Sequence, residues 1–165
     1  MAKTTIIHAD SLEYSGAADL LFTDPPFDMS GKTLIEAVSN HDVQHLVLIA
    51  SIRQAIEFIS LANDWHLSFD FVLDVVAPKK STNYRKPHYI HCNGFYLYKK
   101  SIKSCFNRKL KQRSDVFSNT GYWPTIFYSP KERAKEHGMA KNLNAFTDIL
   151  GSFEISSVID IFAGS

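Results

Sequence analysis

The sequence predicts an α/β domain: an open, mostly parallel sheet with helices packed on it. Three observations carry this expectation. Residues 46–50 (Leu-Val-Leu-Ile-Ala) are a continuous apolar run, the pattern of a strand buried on both faces of a parallel sheet. Ile52, Ile56, Ile59 and Leu61, with Arg53 and Glu57 opposite, follow directly as an amphipathic helix. A second apolar run, residues 20–22, stops at Asp24-Pro25-Pro26-Phe27. Proline cannot continue a sheet, and it holds the residue before it extended.

In chain order, residues 4–8 (Thr-Thr-Ile-Ile-His) read as a short strand closed by Ala9-Asp10-Ser11. Residues 20–23 are the second strand, residues 28–31 a loop, and 32–38 a short helix. After the strand at 46–50 and its helix, residues 69–76 form another strand that ends at Ala77-Pro78. Alternation at 95–98 marks the next. Residues 117–130 are turn-rich and aromatic and read as irregular. Residues 142–150 form a helix closed by Gly151, and 158–162 a final apolar strand opening into Ala163-Gly164-Ser165. No repeat, low-complexity tract or linker divides the 165 residues, which read as one domain able to bury a core without metals or disulfides.

The first five residues are short and polar and read as no signal peptide, and no apolar run approaches a membrane span. Cys92 and Cys105 make no disulfide framework, so the expected compartment is the cytoplasm. His88, His91, Cys92 and Cys105 fit no common zinc spacing, so no metal is expected. Trp65 and Trp123 read as structural anchors.

Charge is distributed unevenly. Of the 18 Lys and Arg, 11 fall in residues 79–113, which hold no Asp or Glu; the remaining 7 face all 17 acidic residues. Such a segment attracts polyanions, and phosphate contacts supply most non-specific nucleic-acid affinity. The candidates are Lys79, Lys80, Arg85, Lys99, Lys100, Lys103, Arg108, Lys109, Lys111 and Arg113. Interleaved Tyr84, Tyr89, Phe95, Tyr96, Tyr98 and Phe106 suit stacking on bases, although some must be core. The plainer reading of the same charges is a solvated basic face.

Asp24 sits at the carboxyl edge of its strand, where open α/β sheets place ligands; Asp-Pro alone reads equally well as a turn. Residues 160–165 (Asp-Ile-Phe-Ala-Gly-Ser) are a strand opening into a glycine turn, which lets backbone approach a ligand closely. Together the two stretches resemble the S-adenosylmethionine-dependent amino-methyltransferases of DNA. That family carries Asp/Asn/Ser-Pro-Pro-Tyr/Phe/Trp as catalytic motif and Asp-Pro-Phe-x-Gly-Ser-Gly as donor motif. Here the catalytic motif comes first, which looks like the family's permuted (β-type) order. Ribosomal-RNA guanine methyltransferases share Asp-Pro-Pro-Phe but carry the donor motif first.

The resemblance implies a three-layer Rossmann-like methyltransferase sheet, mostly parallel with an antiparallel strand near one edge, and S-adenosylmethionine as cofactor. It implies catalytic roles for Asp24, Pro25, Pro26 and Phe27. The Asp24 carboxylate and Pro25 carbonyl accept the two hydrogens of a base amine, and Phe27 stacks on a base flipped from its duplex. Aspartate at position 24 leans the target toward adenine N6 over cytosine N4. Asp10, Lys141, Asp160, Phe162, Gly164 and Ser165 take the donor-binding positions. Lys141 rests on a softer match, in which only His137 and Lys141 of residues 137–142 fit the family's His-Pro-Thr-x-Lys-Pro. Residues from about 99 to 130 then form a basic target-recognition insert.

The chain departs from the pattern at Ser165, inside the donor motif. The resemblance therefore implies a sheet incomplete at its carboxyl end, with a gap between the strands at 4–8 and 158–162. Three readings stay open: an interrupted coding sequence, half of an enzyme completed by a complementing C-terminal chain, or a catalytically silent DNA-binding remnant. Methylation of RNA or of a protein glutamine is disfavoured by motif order and by the basic segment.

Overall fold

A computed structural model describes residues 4–79, 85, 89–107, 123–128 and 143–163. The chain runs β1 (Gly16–Thr23), α1 (Gly31–Ser39), β2 (His41–Ala50), α2 (Ile52–Leu61), β3 (Trp65–Lys79), β4 (Tyr89–Lys99), β5 (Ile126–Phe127), α3 (Leu143–Leu150) and β6 (Val158–Ile159). The strands form one sheet in the order β5-β3-β4-β2-β1-β6. β1 pairs parallel with β2 and β6, β3 parallel with β5, and β4 runs antiparallel between β2 and β3.

Strand periodicity sorts the apolar residues onto two faces. Leu21, Leu46 and Leu48 pack with Leu34 and Val38 of α1 and Ala55 and Phe58 of α2. Leu20, Phe22, Val47 and Ile49 pack instead with Ala145 and Ile149 of α3 and with Phe153. The expected three layers follow. Both α1 and α2 start at serine caps: Ser30 accepts the Thr33 amide, and Ser51 forms a capping box with Gln54. The Gly151 amide closes α3 on the Thr147 carbonyl.

Three sequence expectations change. Residues 4–8 form no strand; Ile6 and Ile7 are exposed, and β-type side chains make no strand without a neighbour to complete the ladder. No gap therefore separates two strands there: among the described residues β6 is the rim of the sheet. The final strand is only Val158–Ile159, because Asp160 turns the chain by accepting the Phe162 amide at 3.0 Å. Residues 117–130 are not wholly irregular either, since Ile126–Phe127 pairs with β3. Trp123 packs edge-on against Phe69, Phe71, Phe106 and Phe127 and donates its indole N–H to Ser152. Both flanks of the expected insert thus belong to the body of the domain.

Two buried imidazoles on β2 make the fold acid-sensitive. Burial holds His41 and His45 below the ordinary histidine pKa. The Gly16 backbone offsets part of this at His41, although neither ring nitrogen reaches a partner at hydrogen-bonding geometry, and the charge of Asp19 offsets part at His45. The Tyr96 hydroxyl, which accepts the Cys105 amide at 3.1 Å, lies 3.0 Å from Nδ1 of His45. The unfolded chain takes up these protons near pH 6.5 and the folded one only at lower pH. Stability is therefore full above that pH and declines below it. Melting temperature is expected to fall between pH 7.5 and 5.5, and His41→Leu should flatten the decline; an unchanged slope refutes the assignment.

Candidate functional site

β1 delivers the corner. Its pairing with β2 ends at Thr23↔Leu48, and two prolines follow Asp24, so no further ladder bond forms. Asp24 is half-buried, Pro25 buried, and the Phe27 ring 48% exposed. A turn closes behind them, with the Met29 N–H donating to the Pro26 carbonyl at 3.0 Å. Beyond it the Gly31 amide donates to Glu57 on α2 at 2.9 Å, and a side chain at Gly31 would place its Cβ 2.4 Å from Cβ of Glu57. Glycine is what lets α1 start this close to α2. The Gly31 amide, followed by Arg53, holds the Glu57 carboxyl below its ordinary pKa.

β6 runs parallel beside β1, so its carboxyl end opens toward the corner. Asp19 anchors its amino end by accepting the Ser156 amide and hydroxyl, each at 2.7 Å, and the Ser157 amide at 3.0 Å. The Ser156 bonds lead in keeping the Asp19 carboxyl below its usual range. Asp24, Pro25, Pro26 and Phe27 then line one cavity of about 630 Å³ together with Asp160, Ile161, Phe162 and Ala163 and with residues 7–9. That size suits a small-molecule site, which typically spans about 300–1,000 Å³.

The structure brings together the four corner residues, Asp160 and Phe162. Asp10 stands apart from the lining: its carboxylate accepts the Leu12 amide at 2.8 Å in a local turn, and Ile7, His8 and Ala9 face the cavity instead. Lys141, Gly164 and Ser165 lie outside the described residues. Sequence reasoning missed Gln54, whose buried amide reaches the Pro26 carbonyl. The Ser51-x-x-Gln54 capping pattern was readable, but its second partner is 28 positions away.

The basic segment is divided by β4, which reverses direction. Phe95 stands at the level where β1 ends, since it pairs with Leu48. Lys99, four residues on and paired with Trp65, lies about 13 Å toward the opposite rim. There Lys99 forms a salt bridge with Asp64 and lies 4.5 Å from the Trp65 ring centroid; Lys100 and Lys103 are exposed beyond it. In the other direction Tyr89, paired with Lys79, lies about 20 Å beyond Phe95 on the cavity's side of the sheet. Arg85 is exposed in the connection. Lys80, Arg108, Lys109, Lys111 and Arg113 fall outside the described residues. Cys92 and Cys105 are unbridged, and burial pushes both thiols up, away from reactivity. Among the described residues no group of His, Cys, Asp or Glu is placed to hold a metal, and no helix is long and apolar enough to cross a membrane.

Against solved structures, the chain is similar to the crystal structure of the M1.HpyAVI-SAM complex: TM-score 0.58 at 19% identity, covering 87% of this chain and 71% of that one. It is likewise similar to the crystal structure of M1.HpyAVI, with TM-score 0.59 at 16% identity and coverage of 93% and 77%. No protein-family model matches the sequence, and no curated protein matches it. The likeness at this identity is one of fold: the chain has a Rossmann-like methyltransferase fold, a mixed sheet with one antiparallel strand inside a parallel set.

Proposed function

We propose that this chain is an S-adenosylmethionine-dependent methyltransferase of DNA that acts on an exocyclic base amine, adenine N6. One observation carries the reading. The Asp24-Pro25-Pro26-Phe27 corner and the turn at 160–163, 136 positions apart in sequence, line the same cavity at the carboxyl edge of a parallel sheet.

The residues fit the chemistry. A base amine is a poor nucleophile because its lone pair is delocalised into the ring. The Asp24 carboxylate and the Pro25 carbonyl each accept one amine hydrogen and favour a more tetrahedral nitrogen. The exposed Phe27 ring offers a stacking face at the rim for a flipped base. The half-buried side chains of Ile161 and Phe162 supply an apolar wall for the donor, and Asp160 and His8 supply polar groups. When bound, the donor provides a methyl group on a sulfonium, so orientation by the protein supplies much of the rate. The SAM complex of the similar M1.HpyAVI structure supports the choice of donor.

Two measurements test the reading. Calorimetric titration with S-adenosylmethionine is expected to give saturable binding. Transfer of labelled methyl to unmodified duplex is then expected to yield N6-methyladenine. A folded sample that binds duplex but no donor supports the silent DNA-binding reading instead, and N4-methylcytosine as product moves the target.

For duplex binding, the end of the β3–β4 pair is the face we assign, because it lies on the cavity's side. Lys80, Arg108, Lys109, Lys111 and Arg113 stay in the proposal on charge alone. Replacing Lys79 and Arg85 by alanine is expected to weaken binding and lower the salt slope by about one per lost phosphate contact. Lys100→Ala with Lys103→Ala, on the opposite rim, should leave that slope unchanged. Equal effects from both pairs would sink the division.

A further inference from the structure

We infer that Gln54 is a positioning residue for the amine-accepting corner, an inference that rests on the proposed function. Its side chain is 3% exposed and is saturated with hydrogen bonds. Oε1 accepts the Ser51 amide at 3.1 Å and the Ser51 hydroxyl at 2.9 Å. Nε2 donates to the Pro26 carbonyl at 2.8 Å and to the Met29 carbonyl at 3.1 Å. The partners fix which way the amide points. A backbone N–H can only donate, so the atom facing Ser51 is oxygen; two carbonyls can only accept, so the atom facing the corner is nitrogen. One side chain thus caps α2 and grips both ends of the turn that follows Asp24.

This grip selects between the two prolines. The Pro26 carbonyl is taken twice, by Gln54 and by the Met29 amide, whereas no donor among the described residues reaches the carbonyl of Pro25. Pro25 is therefore the acceptor presented to the base amine, and Gln54 sets where it stands. Glu57, one turn further along α2, holds the Gly31 amide at the far end of the loop. Gln54 itself does not line the cavity. It acts through Pro26.

The substitution Gln54→Glu keeps the size but turns a carboxylate toward two carbonyls, and Gln54→Met removes both donations, leaving the Pro26 carbonyl with the Met29 amide alone. Each is expected to lower single-turnover methyl transfer about 10- to 100-fold, the effect of misplacing a reacting group by about an ångström. Donor and duplex affinities should move less than about twofold. Hydrogen exchange of residues 27–31, read by mass spectrometry, should accelerate in both. Tyr96→Phe, which loosens the distant His45 contact, is the control for lost stability and should lower the melting temperature without lowering turnover. Unchanged exchange in Gln54→Met overturns the grip whether or not the protein is active. Accelerated exchange with wild-type turnover overturns the positioning role. A wild-type chain that binds donor and duplex but transfers no methyl refutes the proposed function, and the role of Gln54 falls with it.

Discussion

Asp24→Ala is expected to reduce methyl transfer by about 10³-fold or more while duplex affinity changes less than about twofold. The carboxylate is the charged acceptor at the corner, placed there because β1 ends at Thr23 and the prolines prevent it from continuing. Removing it leaves the Pro25 carbonyl as a single neutral acceptor, so the nitrogen lone pair stays in the ring. Asp24→Asn retains a carbonyl oxygen and should fall between the two, consistent with asparagine being allowed in the motif this corner resembles. The side chain is half-buried and forms no part of the core clusters, so the melting temperature should change little. Transfer measured in single turnover isolates the chemical step from product release. An Asp24→Ala protein with wild-type turnover would remove this residue from the mechanism.

What could be read from the sequence follows the range of each interaction. The strand at 46–50, the helix after it and the corner after Phe22 depend on local pattern and proline stereochemistry, and all three stand in the structure. The strand expected at 4–8 failed because β propensity is fulfilled only by a neighbour, which this segment lacks among the described residues. β5 was missed for the converse reason: Ile126–Phe127 sits in a turn-rich stretch and becomes a strand through its pairing with β3 and the aromatic cluster around Trp123. The basic segment looked continuous because sequence is one-dimensional. An antiparallel strand carries its two ends to opposite rims, so Lys79 and Lys99 cannot serve one surface near the cavity. Gln54 was legible as a helix cap but not as a partner of Pro26, since that contact exists only once α2 packs beside the corner.

The second large effect is on stability, at Gly94. This residue pairs with Ile49 of β2 and Phe71 of β3, at the centre of the sheet. The Phe71 ring lies across it, and a Cβ added at Gly94 would stand 2.2 Å from two ring carbons. Glycine is usually unfavourable inside a strand, so its place here reflects the ring that needs the space. Phe71 cannot readily swing away, because Trp123 and Phe127 pack edge-on against it and only 1% of it is exposed. Gly94→Ala is therefore expected to cost about 2–3 kcal/mol. For a domain of this size that lowers the melting temperature by about 5–10 °C. The cause is separable from a backbone effect by a double-mutant cycle. Phe71→Ala alone should also destabilise by emptying part of the aromatic cluster, yet adding Gly94→Ala to it should cost little, giving a coupling of about 1–3 kcal/mol. Simple additivity of the two substitutions would show that the ring is not what excludes a side chain at this position.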